Sequence, residues 1–107
     1  MAWRIDWSPE ALEDLEQIAA YLERDSPWYA KAVVGRIVED AETLDEFPLR
    51  GRVVPELDDP AFRERFCYRY RLIYRVEPDR ILIAAVIHGA RDPMSIANRL
   101  QDEPEQS

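Results

Sequence analysis

The chain has 107 residues, of which 47% are hydrophobic and 34% charged, the composition of one globular domain rather than of a disordered segment. Its formal net charge of −8 argues against a protein that binds nucleic acid with its whole surface. A single cysteine, Cys67, excludes an internal disulfide framework, and its strand-like surroundings predict a buried, inert thiol. No signal-peptide core precedes residue 10, and the longest uncharged apolar run, residues 81–87, is too short to cross a bilayer. We therefore expect a cytoplasmic protein without membrane contact.

The charge is distributed unevenly along the chain. Residues 1–46 hold four basic and twelve acidic residues, whereas residues 47–75 hold seven arginines against four acids. Solvated helices beside an ordinary arginine-rich sheet would produce the same blocks. The alternative interpretation is a single cationic face that meets an anionic partner. The charge pattern alone leaves both open.

The first half of the chain predicts one strand and two helices. Apolar and polar residues alternate over residues 3–7, which is typical of a half-buried strand. Ser8-Pro9 and Ser26-Pro27 each combine a capping side chain with a proline at the first helical position, and an apolar stripe follows each pair. The second helix ends before Pro48. Because the link between the helices is short, they must lie antiparallel as a hairpin.

The second half predicts a short extended segment at residues 52–56, then three strands separated by turns, at residues 62–68, 71–77 and 81–88. The last of these is apolar on both faces, which is typical of a central strand. The sequence after residue 91 is irregular or weakly helical, and residues 101–107 form an acidic tail. We predict one α+β domain over residues 1–100, of order β-α-α-β-β-β, in which the N-terminal helical hairpin covers one face of an antiparallel sheet.

That architecture predicts which side chains remain available to a partner. In the strand at residues 71–77, side-chain alternation directs Tyr74 and its apolar neighbours into the core, with the Tyr74 hydroxyl at the rim. Arg71 and Arg75 then stand on the opposite, open face. His88 and Arg91 follow at the end of the neighbouring strand.

Other polar residues favour ordinary structural roles. Glu56 or Glu64 could form simple ion pairs with Arg52 or Arg63. The acidic pair Asp58-Asp59 and the helix acids have no histidine at ligand spacing, so we predict no metal site. The sequence contains no glycine-rich phosphate loop and no nucleophile motif, so we also predict no cofactor.

Short motifs over residues 3–92 resemble those of the RelE/ParE family of type II toxin–antitoxin toxins, which includes plasmid stabilisation proteins. In chain order they are Trp7-Ser8-Pro9 with Ala11, Asp14 and Leu15, then Phe47-Pro48 with Gly51-Arg52 and Glu56, Arg63-Glu64, Tyr70-Arg71 with Ile73-Tyr74-Arg75, and Ile87-His88-Gly89-Ala90-Arg91. The resemblance implies a cytoplasmic bacterial toxin that a cognate antitoxin neutralises. It further implies a hetero-oligomer with a ParD-like or similar small DNA-binding antitoxin, which binds operator DNA only through the antitoxin.

The family contains two chemistries. RelE-like members are ribosome-dependent endoribonucleases that cut mRNA without metal, whereas ParE-like members inhibit DNA gyrase and have no assigned catalytic residues. Metal-free RNA cleavage needs a base, an acid and cations. If this chain is such a ribonuclease, the resemblance implies that these groups are Arg63, Arg71, His88 and Arg91.

Two departures from the RelE pattern favour the ParE interpretation. RelE-type nucleases use lysines near the sheet and a tyrosine near the C-terminus, but the one lysine here, Lys31, lies on the second helix and no tyrosine follows Tyr74. A net charge of −8 is also unsuited to binding ribosomal phosphates. We therefore predict a gyrase-binding toxin with no catalytic residues assigned, and we keep two alternatives: a RelE-like ribonuclease, and a decayed toxin that survives as an antitoxin-binding module. The predicted target-binding residues are Arg52, Arg71, Arg75, His88 and Arg91.

Overall fold

The computed structural model describes residues 3–90 and 93–101, which form five strands and three helices. In chain order these are β1 (Arg4–Trp7), α1 (Pro9–Glu23), α2 (Pro27–Glu42), β2 (Arg52–Val53), β3 (Phe62–Cys67), β4 (Tyr70–Val76), β5 (Arg80–His88) and α3 (Pro93–Gln101), with a 3-10 turn, Thr43–Asp45, after α2. The predicted α+β class and the order β-α-α-β-β-β are confirmed, and the structure adds the two-residue strand β2 and the helix α3. None of the helices in this described part is long and apolar enough to cross a membrane.

The two N-terminal helices begin where the capping signals place them. The Ser8 hydroxyl accepts a hydrogen bond from the Ala11 amide at 3.0 Å, and the Ser26 hydroxyl accepts one from the Tyr29 amide at 3.1 Å. Each bond satisfies an N–H group that the first helical turn leaves free, and a proline follows each cap. The predicted helical hairpin of α1 and α2 is confirmed.

The five strands form one sheet in the order β1-β5-β4-β3-β2. The pairs β2–β3, β3–β4 and β4–β5 are antiparallel, whereas β1 pairs with β5 in parallel. The prediction of a wholly antiparallel sheet is therefore wrong at β1. Tight turns force consecutive strands to run antiparallel, but the helical hairpin separates β1 from the other strands, so no turn fixes its direction. The central position predicted for β5, between β1 and β4, is confirmed.

The hairpin packs on one sheet face, which we call the hairpin face, and encloses the larger core. The sheet and hairpin residues buried there are Ala11, Leu15, Ile18, Val33, Ile37, Ala41, Leu44, Cys67, Leu72, Tyr74, Ile81, Ile83 and Val86. Burial raises the pKa of the Cys67 thiol to about 12, and a hydrogen bond with Asp40 contributes. The predicted burial of Cys67 is confirmed, and the raised pKa disfavours the reactive thiolate at neutral pH.

Tyr74 lies deeper than the sequence predicts. Its side chain is fully buried, and its hydroxyl accepts a hydrogen bond from the Gly51 amide at 2.9 Å, so the predicted position of this hydroxyl at the rim is wrong. A Cβ atom at residue 51 would lie 2.7 Å from that hydroxyl and 2.5 Å from the Glu64 carbonyl oxygen. Only glycine allows this close approach, which draws the loop before β2 onto the sheet.

The other sheet face, which we call the second face, carries a core of its own. Val54 and Leu57, from the segment after β2, and Ile96 and Leu100, from α3, cover Ile73 and its neighbours on β5. The prediction that this face stands open is therefore wrong. Side-chain alternation along β4 does place Arg71, Ile73 and Arg75 on the same sheet face, as predicted. Alternation cannot predict which other segments pack on that face.

The third helix is fixed to the rest of the molecule by an ion pair as well as by its apolar side. Both Arg99 Nη atoms donate to the Asp14 carboxylate on α1, at 3.2 and 2.8 Å. The same carboxylate also accepts a hydrogen bond from the Val86 amide at 2.9 Å. Strand β1 pairs with β5 only as far as Ile83, so Asp14 provides the partner for an amide of β5 that β1 does not reach. A well-formed helix thus occupies the segment predicted as irregular or weakly helical. The predicted acidic tail begins at the last residue of α3, and residues 102–107 lie outside the described part.

Candidate functional site

The predicted site residue most affected by the second-face cover is Arg71. Its side chain is 5% exposed, and its guanidinium forms a bidentate pair with the Glu56 carboxylate at 2.8 and 2.7 Å. Its Nε atom donates to Glu64 at 2.6 Å. The prediction that Arg71 stands free on an open face is wrong, because Glu56 approaches from the segment that covers this face.

These contacts extend into a four-residue cluster, Arg52–Glu64–Arg71–Glu56, which we call the ion cluster. Glu64 is buried between two arginines and also accepts from Arg52 Nε at 2.6 Å. The predicted option of an ion pair between Glu64 and Arg52 is thereby confirmed. The Arg71 hydrogen bonds lower the pKa of Glu56, and the Glu56 and Glu64 carboxylates raise the pKa of Arg71. Glu56 and Arg71 therefore both carry their charges at neutral pH, and these two charges compensate one another.

Two of the predicted arginines on the second face do reach solvent. Arg52 is 58% exposed and lies with its guanidinium 5.5 Å from the centre of the Phe66 ring. Arg75 is 48% exposed and lies in the same way over Phe62, with Glu77 at 4.0 Å. Each thus combines a cation–π contact with a nearby carboxylate, so these side chains offer planar, partly neutralised groups rather than free charges.

His88 lies on the opposite side of the sheet from Arg71. It pairs in register with Tyr70, whose side chain packs against the hairpin core, and the two rings meet edge to face at 5.7 Å. The exposed imidazole accepts the Ala90 amide at Nδ1, at 3.1 Å. His88 therefore does not join the second-face arginines in one site.

The histidine instead borders a cavity of about 550 Å³ between α1, the start of α2 and the ends of β4 and β5. Four tyrosines line it, namely Tyr21, Tyr29, Tyr68 and Tyr70. Tyr68 adopts a left-handed backbone conformation, with φ of 56°, and its ring meets Tyr29 edge to face at 6.4 Å. The sequence does not predict this cavity, because its tyrosines come from three separate segments without a common spacing.

Arg63 is the remaining described member of the proposed ribonuclease set, and its guanidinium forms hydrogen bonds with backbone carbonyls. Its register partner is Tyr74, which places it on the hairpin side of β3. Nε donates to the Pro60 carbonyl at 3.1 Å and Nη1 to the Gly51 carbonyl at 3.2 Å. These bonds fix the loops on either side of β2. Arg91, the last predicted site residue, lies outside the described residues.

Taken together, the described members of the ribonuclease set do not converge. Arg71 is enclosed on the second face, while Arg63 and His88 belong to the other side. Within residues 3–90 and 93–101, no three His, Cys, Asp or Glu side chains are grouped to hold a metal ion. What the surface does offer is aromatic and apolar side chains, at the tyrosine cavity and at the loop around Phe47.

A helical hairpin thus covers one face of the five-stranded sheet, and an arginine with two carboxylate partners lies on the other. A family model described as the ParE toxin of the type II toxin–antitoxin system parDE matches residues 5–93. Because the match covers most of the chain, the protein belongs to the ParE toxin family.

One curated relative supports this assignment over part of the chain. Y4kP of Sinorhizobium fredii (strain NBRC 101917 / NGR234), whose name describes it as a candidate toxin, is 45% identical over 49 residues. The aligned region is 46% of this chain and 51% of Y4kP, so the chain spans about half the length of that relative.

Solved structures with the same fold come from several toxin–antitoxin systems. The chromosomal ParDE system of P. aeruginosa matches with a TM-score of 0.68 and 23% identity, over 81% of this chain and 96% of that one. The RelBE2 toxin–antitoxin complex of Mycobacterium tuberculosis follows at 0.59 and 22%, over 82% and 99%. The YoeB dimer of Staphylococcus aureus gives 0.58 and 21%, over 82% and 98%. At these identities the likeness establishes the fold alone.

Proposed function

We propose that this toxin acts by binding DNA gyrase and inhibiting it, and that it does not cut RNA. The observation that carries the proposal is the enclosure of Arg71 by Glu56 and Glu64. A cation that stabilises a pentavalent phosphate must reach that phosphate, and here two carboxylates already occupy its donors. The match to the ParE family model supports the same choice.

The separation of the other candidate groups adds to this argument. General acid–base cleavage requires its proton donor and acceptor within hydrogen-bond reach of one reacting atom. Arg63 and His88 lie across the sheet from Arg71, and Arg63 is bound to backbone carbonyls. The net charge of −8 would also repel ribosomal RNA.

For the contact with gyrase we propose the exposed residues of the predicted set. Arg52, which belongs to the ion cluster, and Arg75 lie exposed on the second face, and His88 lies exposed on the opposite side at the end of β5. Arg91, outside the described residues, stays in the proposed set on the sequence alone. Arg71 takes an indirect part, because it holds Arg52 in place through Glu64.

We further propose that a cognate antitoxin binds the chain in the cytoplasm and neutralises it. The titles of the RelBE2 and YoeB–YefM structures describe toxin–antitoxin complexes, and these toxins share the fold of this chain. An antitoxin of the ParD type would also supply the contact with operator DNA.

A supercoiling assay with purified gyrase tests the proposal. The wild-type chain should inhibit supercoiling, and the double variant Arg52→Ala/Arg75→Ala should inhibit it at least about tenfold less, the usual consequence of losing two interface arginines. Arg4→Ala is the matched control, because Arg4 is equally exposed but lies on β1. Growth arrest in a bacterial host without any effect on supercoiling would refute gyrase as the target. Normal growth when the chain is expressed alone would instead favour the decayed toxin.

A further inference from the structure

Tyr68, in the turn between β3 and β4, has a backbone conformation that its own side chain disfavours. Cys67 and Tyr70 form the last register pair of this hairpin, so Tyr68 and Arg69 make a two-residue turn. The φ of Tyr68 is 56°, a left-handed value that such turns usually give to glycine, asparagine or aspartate. Burial compensates little for the resulting strain, because half of the residue is exposed. A tyrosine at this position therefore indicates a role other than folding.

The strained turn places the Tyr68 ring in the wall of the tyrosine cavity. The ring meets Tyr29 edge to face at 6.4 Å. The Gly89 amide donates to the Arg69 carbonyl at 2.8 Å, which fixes the turn against the end of β5. The cavity volume of about 550 Å³ lies within the range of small-molecule sites, about 300–1,000 Å³. Tyr68 thus completes a preformed cavity of ligand size.

The other aromatic walls of the cavity come from three different elements. Tyr21 lies on α1, Tyr29 at the start of α2 and Tyr70 at the start of β4. Burial raises the pKa of the Tyr70 phenol, and the neighbouring Tyr29 and Tyr21 phenols raise it further, so the three groups lie close together. Aromatic faces bind flat rings by stacking, and every nucleobase has such a face. The lining therefore suits a planar ligand.

The polar part of the lining favours an anionic group on that ligand. Arg69 lines the cavity, and no carboxylate of residues 3–90 and 93–101 pairs with its guanidinium. The acidic residue of the lining, Asp14, is already bound by a guanidinium of α3 and an amide of β5. Because His88 accepts a backbone amide at Nδ1, its neutral ring carries the proton on Nε2, which is a second donor.

We propose that the tyrosine cavity binds a nucleotide, with the base stacked on Tyr68 and the neighbouring tyrosine rings and with the phosphate held by Arg69 and His88. A nucleotide joins a planar base to an anionic phosphate, the two features that this lining matches. The net charge of −8 does not oppose such a ligand, because a single phosphate meets the local guanidinium at short range. The site shares His88 with the gyrase contact proposed above, but it does not depend on gyrase as the target.

The test titrates the purified chain, in a calorimeter, with the 5′-monophosphates of adenosine, guanosine, cytidine and uridine. At least one should bind. Its nucleoside, which lacks the phosphate, and ribose 5-phosphate, which lacks the base, should each bind at least about tenfold more weakly. Failure of all four to bind at millimolar concentration would overturn the proposal, and so would equal binding of a nucleotide and its nucleoside.

A short single-stranded deoxyoligonucleotide with a 5′-phosphate distinguishes the two sources of this chemistry. Tighter binding than that of the mononucleotide would identify the end of a DNA strand as the ligand. Weaker binding would identify a free nucleotide. Both results agree with a cavity that takes one base and one phosphate.

Tyr68→Gly separates ligand binding from folding. It removes a stacking ring and relieves the strained backbone, so it should weaken nucleotide binding at least about tenfold while the melting temperature stays at or above that of the wild type. Phe47→Ala is the matched control, because Phe47 is 57% exposed and lies outside the cavity; it should change the affinity less than about twofold. A lower melting temperature for Tyr68→Gly would show that the tyrosine serves folding, and unchanged binding would place the ligand elsewhere. Either result overturns the assignment.

Arg69→Gln tests the position of the phosphate. It should weaken nucleotide binding at least about fivefold and leave binding of the nucleoside unchanged, because only the contact with the phosphate is lost. Arg4→Gln is the control, since Arg4 is 62% exposed on β1 and outside the cavity, and its effect should stay below about twofold. An Arg69→Gln chain that binds the nucleotide as tightly as the wild type would overturn the phosphate site.

Discussion

At the scale of single residues, the guanidinium of Arg71 determines how the second face is built. Removing its charge from water is costly, and the bidentate bond to Glu56 and the bond to Glu64 compensate for that cost. The cluster ties the segment after β2 to β3 and β4. The main role of Arg71 is therefore to stabilise the structure of the second face.

We expect Arg71→Ala to lower the free energy of unfolding by about 3–5 kcal/mol, because it leaves Glu64 buried beside a single partner. Arg75→Ala is the control on the same strand and face, and since Arg75 is half exposed it should cost less than about 1 kcal/mol. Urea unfolding followed by circular dichroism measures both. Equal stabilities for the two variants would mean that the ion cluster does not hold this face.

A second expectation concerns acid stability and Glu56. Arg71 lowers the pKa of Glu56 in the folded state below its ordinary value of 4.5. The resulting stabilisation is complete above that ordinary value and is lost as the pH falls through the lowered pKa. Melting temperatures of the wild type and Glu56→Gln, measured from neutral pH to about pH 3, should therefore converge on acidification. A constant difference between them would contradict the assignment.

Side-chain alternation was sufficient to predict which way Arg71 points, because a strand has a period of two residues. It could not predict that the residue is enclosed. Glu56, which encloses it, lies 15 residues earlier in an irregular segment, where no periodicity links position to direction. The placement of Tyr74 was missed for the same reason, since its partner Gly51 is 23 residues away.

At the scale of elements, the glycines at residues 35 and 51 differ in whether the structure leaves room for a side chain. Gly51→Ala should destabilise the protein by about 1–3 kcal/mol, because the new methyl group would collide with the Tyr74 hydroxyl and the Glu64 carbonyl. Gly35→Ala should stabilise it by about 0.5–1 kcal/mol, because Gly35 lies in α2 with no atom within 4 Å of the added Cβ. Thermal unfolding compares the pair. A shift in the same direction for both would contradict the close approach at Gly51.

The third helix is expected to depend on its buried side for stability. Ile96→Ala should cost about 2–5 kcal/mol, since Ile96 is fully buried in the second-face core. Met94→Ala, at a 65% exposed position on the same helix, should stay within about 0.5 kcal/mol of the wild type. Urea unfolding distinguishes the two variants. A small effect of Ile96→Ala would show that α3 contributes little to the second-face core.

The elements differ in how well the sequence predicts them, for a physical reason. α1 and α2 carry local signals, a serine cap and a proline followed by a long apolar stripe, and these signals place their first residues correctly. α3 has nine residues, and among those whose side chains are described Ile96 and Leu100 are buried, so the helix is stabilised mainly by tertiary contacts. The direction of β1 likewise depends on a partner far along the chain.

At the scale of the whole molecule, the arginines that suggest a cationic face lie close to carboxylates that largely neutralise their charge. Arg52 pairs with Glu64 and Arg71 with Glu56, while Glu77 lies near Arg75. The interpretation of the charge blocks as an arginine-rich sheet beside solvated helices therefore explains the second face better than a free cationic surface. Large aromatic and apolar side chains are nevertheless exposed, around Phe47 and Leu49 and at the tyrosine cavity.

The central claim, that this ParE-family toxin binds its target without cutting RNA, is tested most directly by mapping mRNA ends on translating ribosomes after the purified chain is added. We expect intact mRNA at concentrations of the chain that stop supercoiling by gyrase. Position-specific cuts that appear with the wild type and vanish with His88→Ala, a variant of an exposed residue outside the core, would contradict it.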